Sequence, residues 1–303
     1  MSIIQNLRNK FYKYKPVEYN FSYHHFKNEE QRMFYAENGY VVIKDIVSDY
    51  AIDIILKVFD ILKTHKDYYE VDGFITSANY GFDIQKHLHQ ELRKVNSEIL
   101  NKIFDVDKIY YDLLNVLVIK FNKDKKEFYA HQDIPLVEET LAPTTYAWIP
   151  TTDINDQNGA LLVLPKSHKW FRWQRTHDQS YSPLKNIREE VLNYMKPIYL
   201  NKGDLILFDN SLIHASAPNF SNEIRVAMNT GIAPNNFDLI HYQKIENNQN
   251  KIGKYRIDED FWLQGHYLNS NQVPQKYCPA TIEQYKYQGN ISKSNFIDII
   301  KSS

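Results

Sequence analysis

Short strand-length runs separated by turn residues fill the chain from residue 109 to residue 234, three helical stretches precede them, and a polar, Tyr-rich tail follows. Together these observations predict a mainly β protein with flanking helices, a sandwich or jelly roll rather than a parallel sheet.

The elements can be taken in order. Residues 1–26 are aromatic and basic without a clear period and read as an arm packed on the body. Residues 28–38 (NEEQRMFYAEN) place acids in a first helical turn and run into Gly39, a helix stop, after which 40–44 form a short strand. Ser48 or Asp49 can cap a second helix, where Ile52, Ile55, Leu56, Phe59 and Leu62 recur at helical spacing as a core stripe. Residues 68–82, rich in aromatics and small polar side chains, read as a loop able to cover a pocket, and 84–103 resume helical patterning. The strands then begin: 113–121, which carries one charge, Lys120; 144–150; and 160–164, reached from 152–154 through the two-residue turn signal Asn158-Gly159. Residues 170–192 are polar and charged and read as an insertion with a helix starting near Ile187.

Residues 201–234 hold the most informative pattern. Gly203-Asp204 is a turn signal, 205–208 an apolar strand, and Ala217-Pro218-Asn219 with Ser221-Asn222 supplies turn chemistry before the β-rich run 224–232, so the stretch reads as a hairpin. Strand alternation puts His214 and Ser216 on one face of the first arm, and Arg225, Ala227 and Asn229 on one face of the return arm. Upstream, His131-Gln132-Asp133 follows the strand-like run 116–121, and an extended backbone aims His131 and Asp133 one way and Gln132 the other. Two His and one carboxylate with open positions left over are the facial triad that holds non-haem Fe(II) in oxygenases. Arg225 offers a fixed fork of donors that suits the far carboxylate of a dicarboxylate co-substrate.

Composition narrows the field. A chain of 303 residues with 43% hydrophobic and 24% charged side chains supports a substantial core and reads as one domain with elaborations. Its formal net charge of -1 gives no electrostatic case for nucleic acid or an acidic membrane, so the expected partner is a small molecule, with no obligate protein partner evident. The single cysteine, Cys278, excludes an intramolecular disulfide framework. Without a signal-like start, a long apolar run or a peroxisomal tripeptide, the expected location is cytoplasmic.

Other ionisable residues fit the chemistry less well. His87 and His89 repeat the spacing of the upstream pair, but within a helical pattern, where residues two apart lie on different faces. Glu138 and Glu139 read as solvated loop charges, and His241 with the Tyr-rich tail is placed to line a substrate mouth.

Several pieces occur in a fixed order: NGYVVIKD at 38–45, HQD at 131–133, Trp148 in TTYAWIP, NGALLVLPKSH at 158–168, GDLILFDNSLIHAS from Gly203, and Arg225 eleven residues past His214. Over roughly residues 30–235 the sequence resembles the phytanoyl-CoA dioxygenase family of Fe(II)- and 2-oxoglutarate-dependent oxygenases. The resemblance implies a double-stranded β-helix (jelly roll, cupin-like), with His131, Asp133 and His214 as iron ligands, 2-oxoglutarate and O2 as co-substrates, and Arg225 on the distal carboxylate. It also matches Ser216, Lys120 and Trp148 to positions near the co-substrate. Halogenases of the family lack the carboxylate, so Asp133 disfavours halogenation. Where the family has a PGSH turn this chain reads PKSH, with Lys166 in the Gly position.

The expected organisation is a single oxygenase domain over 1–303: an N-terminal arm and helices (1–108), a jelly-roll core (109–235) and a C-terminal extension over the barrel (236–303). The expected activity is hydroxylation of an aliphatic C–H bond of a small organic substrate, with succinate and CO2 as co-products. Two rivals use the same barrel: a non-redox small-molecule binding protein, and a Zn-dependent isomerase or hydrolase.

Overall fold

The structure, a computed structural model, describes residues 25–71, 73–122, 127–177, 182–245, 248–264, 273, 275–285 and 289–302. The arm expected over 1–26 lies almost wholly outside them. Helix α1 (Glu29–Asn38) is capped by the Asn28 side chain, which accepts from the Gln31 N–H at 3.0 Å, and ends at Gly39 in the left-handed conformation (φ 81°). A Cβ at Gly39 would also stand 2.5 Å from the His168 ring, so backbone shape and close packing both require glycine there. Strand β1 (Tyr40–Ile43) follows. Ser48 caps α2 (Asp49–Lys63), accepting from the Ala51 N–H at 3.2 Å.

Strands β2 (Phe74–Thr76), β3 (Ile109–Lys120), β5 (Thr145–Pro150), β8 (Leu205–Asp209) and β10 (Arg225–Pro234) join β1 in a six-stranded antiparallel sheet of order β1-β8-β5-β10-β3-β2. A second sheet, of order β4-β9-β6-β7, contains β4 (Phe128–His131), β6 (Leu161–Val163), β7 (Lys196–Ile198) and β9 (His214–Ser216). The fold is the expected double-stranded β-helix. Alternation along the large sheet sorts its side chains into two cores. Leu117, Ile119, Val226 and Met228 face α2 and α3 (Phe82–Ile103), where Ile52, Ile55, Leu88 and Leu92 meet them. Val116, Val118, Trp148 and Ala227 face inward and share a cluster with Leu161 and Val163 of the small sheet. Truncating one of the fully buried leucines, such as Leu92, costs about 2–5 kcal/mol by the usual cavity rule.

The expected hairpin over 201–234 is not formed. Strand β8 lies in the large sheet between β1 and β5, whereas β9 pairs with β4 and β6 in the small sheet, and β10 returns to the large one. The crossing happens in a tight turn: Leu212 N–H donates to the Asp209 carbonyl at 2.8 Å, and Ser211 N–H to the Asp209 carboxylate at 2.8 Å. Nor is Asn158-Gly159 a two-residue hairpin turn. Gly159 is left-handed (φ 79°), but Asn158 bridges Asn219 and Ile154 bridges Leu200, so the chain there touches other loops. Residues 68–82 contain β2, paired with the end of β3, rather than loop alone.

The stretch 170–192, read as a polar insertion, is an integral part of the packing. Phe171, Leu184 and Val191, the last on α4 (Arg188–Leu192), form a buried cluster with Ile213 and with Phe296 and Ile299 of α5 (Lys293–Ser302). Between β10 and α5, strands β11 (Ile240–Ile245), β12 (Asn248–Arg256) and β13 (Thr281–Gln284) make a separate three-stranded sheet. Phe261 and Trp262 pack into the inner core. Lys166 holds the left-handed conformation (φ 69°) that glycine adopts without strain. The PKSH turn therefore keeps a left-handed residue after its proline. Among the described residues no helix is long and apolar enough to cross a membrane.

Candidate active site

Strands β4 and β9 pair in antiparallel register with His131 directly opposite His214, so the sheet itself brings the two imidazoles together, with ring centroids 4.2 Å apart. Asp133 lies two residues past His131, its N–H donating to the Asn210 carbonyl at 2.9 Å. Its carboxylate oxygens stand 3.7 Å from His131 Nε2 and 3.5 Å from His214 Nε2. One ligating atom from each of the three lies within 4.8 Å of the others. Each Nδ1 faces a backbone carbonyl two residues back, Tyr129 at 2.9 Å and Leu212 at 3.0 Å. A carbonyl only accepts, so each Nδ1 carries a proton and each Nε2 is turned toward the carboxylate.

Burial, reinforced by the neighbouring His131, lowers the His214 pKa to about 4, which makes it neutral near pH 7. Burial alone would raise the Asp133 carboxyl, but His214, His131 and Arg175 outweigh it and hold Asp133 below the usual carboxylate range. Lone pairs and an anion thus converge on one point at separations longer than the ordinary hydrogen bond of about 2.7–3.2 Å. A divalent cation resolves that arrangement, and two imidazoles with one carboxylate suit Fe(II).

The triad opens into a cavity of about 770 Å³, whose described lining includes Ser216, Trp148 and Arg225. Arg225 is buried, donates from Nη1 to the Gly159 carbonyl at 2.9 Å, and sits with its guanidinium carbon 5.2 Å from the centre of the Trp148 ring. Lys120 is its register partner on β3, and Lys120 Nζ reaches Ser216 Oγ at 3.4 Å. Lys120 is fully buried, with its stem running beneath Gly159. Of the three residues matched to positions near the co-substrate, Ser216 and Trp148 thus line the cavity, while Lys120 stands behind Ser216. The hydroxyl and guanidinium do meet in one cavity, though across two sheets.

Sequence reasoning missed the support behind the triad. Arg175 donates from Nε to the Asp133 carbonyl at 2.6 Å and from Nη1 to Glu139 Oε2 at 2.6 Å, with a second contact to Glu139 through Nη2. Its Nη2 also reaches the Asn210 carbonyl at 3.3 Å. One guanidinium therefore ties the metal-binding loop to the turn that delivers His214. Arg172 pairs with Asp209 at 3.3 Å and donates to Ser211 Oγ at 2.7 Å in that same turn. Glu139 is buried rather than solvated. Gln132, pointing away from the triad, donates to the Ser211 carbonyl at 2.6 Å. The available signal was the aromatic density around the two arginines in WFRWQR (170–175), which favours burial over solvation. His87 and His89 behave as their helix requires: only His89 is buried, and burial lowers its pKa to about 4. His241 packs on Phe261 and Trp262 and is not among the described cavity-lining residues.

Residues 35–227 match the sequence profile of the family described as phytanoyl-CoA dioxygenase (PhyH). The chain belongs to that family. By family and fold it is an oxygenase of the Fe(II)/2-oxoglutarate-dependent class. Bovine peroxisomal phytanoyl-CoA dioxygenase (Bos taurus) is 26% identical over 258 residues, 76% of this chain and 74% of that one. Two solved structures share the fold of this family member. One is the α-ketoglutarate-dependent carbocyclase SnoK from nogalamycin biosynthesis, with TM-score 0.53, 17% identity and coverage of 71% of this chain and 86% of that one. The other is EctD from S. alaskensis with 2-oxoglutarate and 5-hydroxyectoine, with TM-score 0.51, 18% identity and coverage of 75% and 85%.

Proposed function

We propose that the protein hydroxylates an aliphatic C–H bond of a small organic molecule, with succinate and CO2 as co-products. In this reading the chain is a single oxygenase domain, Fe(II) is held by His131, Asp133 and His214, and 2-oxoglutarate is anchored through its distal carboxylate by Arg225. The observation that carries the reading is the convergence of three lone-pair donors in the cavity that also holds a buried guanidinium. A lone metal site would fit a Zn-dependent hydrolase equally well. A metal site with a carboxylate fork in the same cavity fits a dicarboxylate co-substrate.

The chain's own residues would do the following. The Tyr129 and Leu212 carbonyls fix both imidazoles with Nε2 facing the metal position. Arg175 holds the Asp133 backbone in place. Trp148 gives the Arg225 guanidinium an aromatic surface to rest on, and Gly159 fixes one of its N–H groups, which sets the direction of the fork in the cavity. Ser216 adds a hydroxyl at that end of the cavity, with the Lys120 amine behind it at 3.4 Å. The apolar walls exclude water from the reacting carbon. When bound, the metal with 2-oxoglutarate and O2 supplies an oxidant able to take hydrogen from an unactivated C–H bond, one oxygen atom going to succinate and the other to the product.

Product mass under 18O2 tests this reading. Candidate substrates incubated with Fe(II) and 2-oxoglutarate should gain one labelled oxygen atom in step with succinate. Loss of two hydrogens, or a product of unchanged mass, would replace hydroxylation with desaturation, ring closure or epimerisation. Turnover without 2-oxoglutarate would sink the co-substrate assignment.

A further inference from the structure

The turn after β6 reaches the metal-binding cluster by a route that the strands themselves do not supply. Pro165 and Lys166 are its central residues: Ser167 N–H donates back to the Leu164 carbonyl at 3.3 Å, and Lys166 takes the left-handed conformation (φ 69°) that the third position of a type II turn requires. Ser167 and His168 follow, and both are fully buried. The turn is anchored to the end of α1, where Lys166 N–H donates to the Asn38 carbonyl at 2.9 Å and His168 Nε2 faces the Ala36 carbonyl at 3.1 Å.

Its contacts with the chain entering β9 are specific. Val163 pairs with His214, so Leu164 and Ile213 are the next pair in register, and Leu164 N–H donates to the Ile213 carbonyl at 2.9 Å. A regular antiparallel ladder would return a bond from the Ile213 N–H to the Leu164 carbonyl. Here that carbonyl accepts from Ser167 instead, and the Ile213 N–H donates to Ser167 Oγ at 2.8 Å. Ser167 therefore stands in for a strand partner at the residue before His214. Ser211 Oγ donates to the His168 carbonyl at 3.1 Å, so the same turn grips the segment 211–213 at both ends.

The bond matters because of which peptide group it holds. The Ile213 N–H and the Leu212 carbonyl belong to one planar peptide unit. That carbonyl is the acceptor for His214 Nδ1 at 3.0 Å. Hydroxyl, peptide and imidazole thus form one chain of hydrogen bonds, in which a rotation of the peptide plane would carry the ring with it.

Resting on the reading of His131, Asp133 and His214 as the metal ligands, we propose that Ser167 is a positioning residue for the metal: its hydroxyl fixes the Leu212–Ile213 peptide plane and through it aims His214 Nε2 at the point shared with His131 and Asp133. The hydroxyl touches neither metal nor substrate. Its effect is to hold one ligand in place before the metal arrives.

Co(II), which two imidazoles and a carboxylate also accept, tests this without turnover. Competition with the indicator mag-fura-2 gives its affinity, and visible absorption its ligand field. Ser167→Ala leaves the Ile213 N–H without its acceptor and should weaken Co(II) binding by about tenfold, with an altered ligand-field spectrum. Ser167→Cys, which fills the space but accepts only weakly, should fall between Ser167→Ala and the wild type, and it carries the test should the alanine variant fail to fold. Leu92→Ala, a core truncation behind the large sheet, should lower the Tm at least as far and leave Co(II) affinity and spectrum unchanged. Wild-type affinity in the Ser167 variants, or equal loss in Leu92→Ala, would overturn the proposal and leave the iron reading standing. A wild type that shows the Ser167 dependence with Co(II) but develops no charge-transfer band with Fe(II) and 2-oxoglutarate would overturn the co-substrate reading and leave the role of Ser167 standing.

Discussion

The two sheets approach one cavity with different chemistry. The small sheet ends in the triad, and behind it Arg172 and Arg175 are locked by buried ion pairs to Asp209 and Glu139. The large sheet presents Arg225 and Asn229 on a mainly apolar face, backed by the helices through its alternate side chains. Where the proposed metal would be held, the fold uses fixed charges and many hydrogen bonds. Where the proposed organic substrate would fit, it uses shape and fewer polar groups. Substitutions on the two sides should therefore fail differently: on the triad side through metal and stability, on the facing side through ligand affinity.

The sharpest break is at Asp133. Asp133→Ala should abolish iron-dependent 2-oxoglutarate consumption, a loss larger than the roughly 10–100-fold typical of changes to groups that only orient ligands. Next comes the buried pair. Arg175→Met leaves Glu139 buried without that guanidinium and should lower unfolding free energy by about 3–5 kcal/mol in denaturant melts, and adding Glu139→Leu should restore much of it. If the single change cost no more than an exposed pair, the contrast between the sheets would lose its energetic basis.

On the opposite side, Arg225→Ala should raise the 2-oxoglutarate requirement by about ten- to a hundredfold, the worth of a charge-assisted contact, with iron affinity little changed. Equal loss of both would make Arg225 structural.

Acid should weaken the fold. Burial lowers the pKa of His168, packed against α1 and Gly39, and of His89, on α3 behind the large sheet, to about 4. The unfolded chain binds protons at these sites from about pH 6.5 downward, so the neutral folded forms are fully favoured above that pH. Stability is then lost as pH falls from about 6.5 toward 4, and the Tm at pH 5 should lie below that at pH 7. The smallest effect is expected at Lys166, where Lys166→Gly removes left-handed strain and should stabilise by about 1 kcal/mol, the exposed pair with Glu37 contributing little.

The sequence made the orientation of side chains legible and left their sheet assignment hidden. Alternation correctly aimed His131 with Asp133, His214 with Ser216, and Arg225 with Asn229, because an extended backbone fixes direction from spacing alone. The same spacing at His87 and His89 meant nothing on a helix. Residues 205–208 and 214–216 look like parts of one hairpin arm because turn chemistry marks where a chain bends, not which sheet it joins next. Glu139 and Arg175 are 36 residues apart, and each reads as a surface charge until the fold brings them together. Asn229 was legible as sharing a face with Arg225, but that its Oδ1 meets no partner among the described residues is a property of the packed fold.

In the proposed function the His131–Asp133–His214 cluster and Arg225 form one site for Fe(II) and 2-oxoglutarate. Anaerobic addition of Fe(II) and 2-oxoglutarate, followed by visible absorption, tests it without knowing the substrate. The wild-type protein should develop a metal-to-ligand charge-transfer band at one equivalent of iron, Asp133→Ala should lose it, and Arg225→Ala should need far more 2-oxoglutarate to reach it. A wild-type protein without the band, or one whose band survives Asp133→Ala unchanged, would contradict the account.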